Sequence, residues 1–509
     1  AERMRTEFET EVLPRFIEIQ RWYASKGTAI KRARLVDHTI WEDGVISWML
    51  PILELDGPAE ESTYFTPLAL AWEDSDEARF GLLEPVALAK VRQQANVGVM
   101  SDAFHDEVFC RTIVEAIAQR KEIPADCGLL RFRPTTLFDS VISDVSVMTV
   151  SRPGALSSNT VVTLGEKIFL KGYRRLRAGI NPELEMGRFL TEIAHYPNCV
   201  PVLGAMEYFG EADRVMTLML VQSYVANQGD GWDFALGYVE RFLEEARVAG
   251  EAEPASVGDR HGGFLEHAVT LGKRTAELHL ALARHTGDPA FDPEPLLLED
   301  VTGFRQRAAD EAGTTLTLVR DRLARLPLST QAAARALRAR QAALQSQVST
   351  GEVSAYGGVK TRYHGDYHLG QVLVTRDDFV IIDFEGEPAR TFGERRAKGS
   401  PLRDVAGMLR SFNYARWSAL KHVAHNADDF KRLEPAAQQW ELVTRQAFLT
   451  AYEETATAGG SAPVDAQLLA LFEMEKALYE LRYELNNRTD WAEVPLQGLL
   501  ALIDAGAAR

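Results

Sequence analysis

The stretch Tyr363 to Pro388, YHGDYHLGQVLVTRDDFVIIDFEGEP, constrains this chain more than any other, because it sets the order and separation of three oxygen-bearing side chains. Asp366 follows His364 in an HxD turn, Gln371 lies five residues beyond Asp366, and Asp383 ends the strand-like run Phe379-Val380-Ile381-Ile382. A carboxylate on a tight loop orients a hydroxyl and accepts its proton, while an amide oxygen and a second carboxylate suit Mg2+ held against nucleotide phosphates. The expectation is phosphoryl transfer, with Asp366 as catalytic base and Gln371 and Asp383 on the metal.

The interval from base to metal-binding amide is that of a kinase catalytic loop, with Gln in place of Asn. The segment that would carry DFG in a protein kinase is DFE, so Glu385 sets a further carboxylate beside Asp383 and is expected to join the magnesium site, directly or through water. That departure resembles the aminoglycoside and choline kinases, which phosphorylate small molecules. His364, Asp366 and His368 also make an HxDxH pattern suited to zinc. Gln371 and Asp383 account for the stretch better as a nucleotide-metal site.

At 509 residues the chain is too long for one compact domain, and its net charge of -17 argues against polyanionic partners, so neither nucleic acid nor an anionic membrane is expected. Cys110, Cys127 and Cys199 are odd in number and dispersed, which suits a reducing compartment; a cytoplasmic location is expected. No apolar run is long enough to cross a bilayer, and the first residues are charged, unlike a signal peptide. A start at Ala1 fits removal of an initiator Met or a portion of a longer polypeptide.

Residues 1–90 are expected to form a cap domain: a short helix carrying Leu13, Phe16 and Ile17, then the strand-like segments IKRARLVDHTI, GVISWMLPILEL and STYFTPLALAW. Residues 91–225 follow as a helical bridge, Asp102 to Arg120, and a sheet in which FRPTTLF and VSVMTV are the opening strands. The run TVVTLGEKIFLKGYRRL predicts a hairpin turning at Gly165-Glu166, which puts Lys171 on its second strand, where a nucleotide kinase holds its phosphate-clamping lysine. The loop before it offers Ser157, Ser158 and Asn159, whose backbone N–H groups suit phosphate oxygens, although an ordinary hairpin turn explains the same residues.

Asn181 and Pro182 are expected to cap and open a helix, with Glu185 preferred over Glu183 as partner of Lys171. The backbone from Ser223 to Val225 is the expected adenine contact. Residues 226–509 are expected to be mainly helical, with loops near Ala249 to Gly262 and Asp288 to Thr302. His267, His279 and His285 share no ligand-like spacing and are assigned surface or packing roles.

HGDYHLGQVLV, VIIDFEGEPAR, ERRAKGSPLRDVAGMLRSFNYA and the N-terminal RWYASKG together resemble the maltokinase family, including its domains fused to trehalose synthase. The resemblance spans most of the chain, with Tyr23 and Asn413 as minor departures. It implies an α+β, bilobal fold of the eukaryotic-protein-kinase and aminoglycoside-phosphotransferase type with an N-terminal β-rich cap, and closure of its two lobes over ATP. It implies ATP and Mg2+, maltose as acceptor, maltose 1-phosphate as product feeding α-glucan (glycogen) synthesis, and trehalose synthase, fused or in complex, as the source of maltose.

For the sugar, His368, Arg396, Lys398, Arg403, Asp404 and Tyr414 are the candidates, with Tyr479, Tyr483 and Trp491 as further aromatic surface. Helical spacing of the apolar residues in LRDVAGMLRSFNYA offers another reading, in which Arg403 and Asp404 bind one another or cap a helix. Two other functions compete. A kinase of glucosamine, an aminoglycoside or an aminocyclitol should place a carboxylate at the amine, which directs attention to Asp404 and Glu387. A scaffold with a dead kinase fold is disfavoured by the presence of Lys171, Asp366, Gln371 and Asp383.

Overall fold

A computed structural model describes residues 2–44, 46–57, 62–142, 144–154, 158–249, 257–350 and 358–507. The contacts gather into two compact units, residues 1–195 with 200–226, and residues 196–199 with 227–509.

The first unit holds two antiparallel sheets. In one the strands run in the order Arg175–Leu176, Ser62–Phe65, Ile46–Asp56, Leu68–Trp72, Asn96–Asp102 and Ala87–Gln93, with Arg32–Asp43 also paired to Ile46–Asp56. This sheet crosses the boundary expected at residue 90, since its last two strands end at Gln93 and Asp102. A register shift between Leu35 and Asp37 turns the strand over, because one extra residue exchanges its faces. Ala33 and Leu35 therefore pack with Leu13, Ile17, Trp22 and Tyr23, while Trp41 packs on the other side with Trp48, Phe109 and Ile113. Trp48 is fully buried and its indole N–H donates to Asp106 at 2.7 Å, so the ring is buried without an orphaned donor.

The other sheet runs Glu122–Pro124, Leu129–Pro134, Val202–Phe209, Val215–Ser223, Ile168–Gly172, Thr160–Leu164 and Val150–Ser151. The expected lysine hairpin is present. Lys167 N–H donates to Leu164 C=O at 3.1 Å across Gly165 and Glu166, whose φ values of 55° and 51° match the twist of the flanking strands. The two opening strands are shorter than expected. FRPTTLF leaves the sheet at Pro134, which has no N–H to give; the Thr135 hydroxyl then bonds Val202 C=O, and Phe138–Val141 is a helical turn. Only Val150 of VSVMTV is in a strand, with Ser151 after it, because Asp144 accepts from Ser146 and holds the start of that segment in a turn.

Arg174 joins the two sheets. It is 1% exposed, donates to Asp102 at the end of one sheet and to the Thr160 hydroxyl in the other, and lies against the rings of Trp22 and Phe104.

The second unit is mainly helical, with Gly231–Ala249, Val257–Leu282, Leu298–Arg322, Leu402–Val423, Ala427–Ala458 and Ala466–Asn487 as its longer helices. Both loops expected here are cut short, since helices begin at Val257 and Leu298. Asn426 and Asp465 cap the two helices that follow them, each accepting from two backbone N–H groups. Val372–Thr375 and Asp378–Ile381 form the small hairpin that carries Asp383 past Gln371. Among the described residues, no helix is long and apolar enough to cross a membrane.

Candidate active site

In the second unit, the loop from Tyr363 to Gln371 is suspended from a buried carboxylate. Asp404, 1% exposed in the helix Leu402–Val423, accepts from the backbone N–H of His364 at 2.7 Å and of Gly365 at 2.9 Å, and from His279 Nε2 at 3.1 Å. Donation from Nε2 leaves Nδ1 of His279 to accept from the Tyr452 hydroxyl at 2.9 Å, so one neutral imidazole satisfies both contacts. Burial pushes the Asp404 carboxyl up, and the bonds from His279 and the loop reverse that, leaving it below its usual value. Asp404 was expected at the sugar; its oxygens are committed instead to the catalytic loop. His279, expected only to pack, belongs to the same network.

The remainder of the loop is fixed just as locally. His364 bonds Ile382 C=O at 2.8 Å through Nε2, the Tyr367 hydroxyl meets Thr275 at 2.9 Å, and Leu369 N–H donates to Ser411 at 2.9 Å. Gly407 lets the helix lie against the loop: a Cβ there would stand 2.5 Å from Tyr367 C=O. Gln371 donates through Nε2 to Asp383 Oδ2 at 3.2 Å, which leaves its amide oxygen available as a hard ligand. Asp383 sits at φ 61°, a conformation that costs a residue other than glycine about 1–2 kcal/mol. Carboxylate oxygens of Asp383 and Glu385 come within 4.8 Å of one another. This donor set fits Mg2+.

Asp366 opens on a cleft that Tyr363, Glu387, Arg390, Arg403, Lys476 and Tyr479 help to line. Its Oδ1 lies 3.4 Å from Lys476 Nζ, on the helix Ala466–Asn487. Burial pulls the Lys476 pKa down, and Asp366, Glu387 and Glu480 more than reverse this, leaving it raised. Three other acids of the wall have cations beside them: Glu387 pairs with Arg390, Glu475 with Arg403 at 3.0 Å, and Glu311 with Arg482 at 2.6 Å, whereas Glu394 accepts from the Thr391 N–H and hydroxyl, each at 2.8 Å. Arg403 is further held between Phe304 and Phe472, at 5.2 and 4.4 Å from their ring centres. Lys476 was missed from sequence because it lies in a helical run with no motif around it.

The other sugar candidates divide. His368 accepts from Gly370 N–H at 3.1 Å, and burial lowers its pKa, which favours the neutral ring. With Tyr414 it lines an adjoining aromatic cleft that includes Trp232, Tyr479 and Tyr483. Burial raises the Tyr414 pKa well above normal, and its hydroxyl stands 3.5 Å from Glu484. Arg396 and Lys398 line neither cleft. Lys398 instead donates to Pro289 C=O and to Glu294, at 2.7 and 2.8 Å, so its expected place at the sugar is corrected to a structural tie.

In the first unit, Lys171 is buried on its strand and donates to Glu183 at 2.8 Å; the Tyr173 hydroxyl meets the same carboxylate oxygen. Glu183, which the sequence reading ranked behind Glu185, thus pairs with Lys171. Glu183 lies three, four and seven residues before Met186, Gly187 and Leu190, and this is the buried face. Asn181 caps the helix as expected, accepting from the N–H groups of Glu183 and Leu184. Ser223 N–H is already given to Pro201 C=O at 2.9 Å, which removes that donor from an adenine contact; Val225 follows half-buried. Ser158 is exposed and Asn159 half-buried, and Ser157 lies outside the described residues.

Comparison with known proteins agrees with this layout. The family model for the maltokinase N-terminal cap domain matches residues 16–106, and that for the phosphotransferase enzyme family matches residues 235–440. A glucosamine kinase of Mycolicibacterium smegmatis is 28% identical over 356 residues, 69% of this chain and 79% of the relative. A glucosamine kinase of Streptacidiphilus jiangxiensis is 25% identical over 350 residues, 68% of this chain and 72% of the relative. A solved glucosamine kinase in complex with glucosamine, ADP and inorganic phosphate superposes with a TM-score of 0.59 at 18% identity, covering 97% of this chain and 99% of the other. A second crystal form gives 0.61 at 18% identity, covering 98% and 99%.

Proposed function

Because the chain belongs to the capped branch of the phosphotransferase enzyme family, we propose that it transfers the γ-phosphoryl group of ATP to the anomeric hydroxyl of maltose, with Asp366 as the base. Its fold is the α+β fold of that family, a phosphotransferase domain preceded by a β-rich cap. The observation that carries the reading is Asp366, held on a loop that opens on a cleft where Glu311, Glu387 and Glu475 already have cationic partners. A neutral sugar enters such a cleft through hydrogen bonds alone. A buried ammonium needs a carboxylate with charge to spare.

Gln371 and Asp383, with Glu385, would hold Mg2+, which when bound neutralises charge on the phosphates as the transferred group becomes planar. Asp366 orients the sugar hydroxyl and takes its proton, and Lys171, fixed by Glu183, supplies a cation for the nucleotide phosphates.

A second reading, phosphorylation of glucosamine, is supported by the names of the two curated relatives. The deciding experiment incubates the protein with ATP, Mg2+ and either maltose or glucosamine, following ADP release and the phosphorus NMR signal of the product. An anomeric phosphate from maltose, lost by about 10²–10⁴-fold in Asp366→Ala, supports the main reading. Turnover with glucosamine alone moves the substrate to the second, and full activity of Asp366→Ala overturns the mechanism.

A further inference from the structure

We propose that Lys476 is a latch on the catalytic carboxylate, moving between Asp366 and Glu387 so that Asp366 accepts a proton from a sugar hydroxyl but not from water. The proposal rests on the sugar-kinase reading above and adds to it a control over wasted ATP.

The geometry is that of a cation shared between two acceptors. Lys476 Nζ lies 3.4 Å from Asp366 Oδ1 and 3.8 Å from Glu387 Oε1, both longer than the 2.8 Å pair of Lys171 with Glu183. Glu387 is built to receive it: the side chain is buried, its Oε2 is held by Arg390, and its Oε1 faces the ammonium. The Tyr479 ring, 5.1 Å from Nζ, adds an attractive face. Neighbouring Ala477 and Leu478 are fully buried and fix the backbone, so the switch needs only the end of one side chain to turn.

A hydroxyl that donates to Asp366 Oδ1 competes with Lys476 for the same oxygen. A sugar, anchored by its other hydroxyls, spends binding energy to displace the ammonium toward Glu387; a single water has none to spend. In transfer, the hydroxyl oxygen bonds the γ-phosphorus, the bond from that phosphorus to the β-bridging oxygen breaks, ADP leaves with the electron pair, and the hydroxyl proton passes to Asp366. Hydrolysis follows the same path with water in place of the sugar.

The test measures ADP release by the full chain with ATP and Mg2+, first without sugar and then with maltose or glucosamine. Lys476→Met is expected to raise sugar-free hydrolysis about tenfold and to lower the KM for the sugar, which no longer spends binding energy on displacing the ammonium. Lys476→Arg should restore part of the suppression. Sugar-free hydrolysis within twofold of the unaltered protein in Lys476→Met overturns the latch. If Lys476→Met melts at a clearly lower temperature, Glu387→Gln decides: a fall in sugar-dependent kcat that exceeds any change in sugar KM supports the receiving site, and unchanged kcat overturns it. A protein that phosphorylates neither sugar, yet hydrolyses ATP faster on Lys476→Met, keeps the latch and refutes the substrate assignment.

Discussion

Replacing Asp404 with Asn isolates what suspends the catalytic loop, because shape is kept while charge and one acceptor are lost. The carboxylate takes three hydrogen bonds, from His364 N–H, Gly365 N–H and His279. With the amide oxygen toward His364 and His279, its NH2 faces the Gly365 N–H, two donors together. Loss of one charge-assisted bond, with weakening of two others, costs about 2–4 kcal/mol. If the loop gives way first, kcat falls roughly 30- to 1000-fold, at about 1.4 kcal/mol per tenfold; if the unit unfolds first, the melting temperature drops by roughly 2–4 °C per kcal/mol. The folded-state pKa of Asp404 is depressed, so its stabilisation is complete above the unfolded value of about 3.9 and fades as pH falls through the lower folded value. Urea unfolding at pH 7, 5 and 3.5 should therefore show a gap between the unaltered protein and Asp404→Asn that narrows toward acid. An Asp404→Asn protein with unaltered unfolding midpoint and turnover refutes the suspension.

Two further outcomes are expected. Glu183→Gln should lower kcat/KM by about 10²-fold through loss of the charge that pairs a buried lysine; steady-state kinetics with varied ATP checks it, and an unchanged kcat/KM refutes the pairing. Burial pushes the thiols of Cys110 and Cys199 up to about 12, and Cys127 alone of the three cysteines is exposed. A thiol reagent at pH 8 should thus label one cysteine in the native protein and all three in denaturant, and mass spectrometry locating the label on Cys110 or Cys199 would contradict the burial.

The lysine hairpin and the Asn181-Pro182 helix start were legible because local chemistry decides them: two turn residues at positive φ, and a side chain that accepts from two N–H groups. The catalytic segment was legible for the same reason, its residues being close in sequence. What failed was phase and distance. Glu185 was preferred over Glu183 by counting from apolar neighbours without carrying the face on to Gly187 and Leu190. VSVMTV has β-forming residues throughout, yet a three-residue turn at Asp144 outweighs them. Asp404 and His279 are 125 residues apart and Lys476 and Asp366 are 110 apart; nothing local to either residue announces the other.

Arg174 gives the cap a dependence that its peripheral place in the chain conceals. The guanidinium donates to Asp102 and Thr160 and is covered by Trp22 and Phe104, so three of its four companions belong to the cap side of the unit. Without the cap, Arg174 would lose its carboxylate partner and both rings that cover it, and would turn from a buried tie into a hydrated surface cation. Cap and lysine sheet thus share one buried cation, and the stability of each depends in part on the presence of the other.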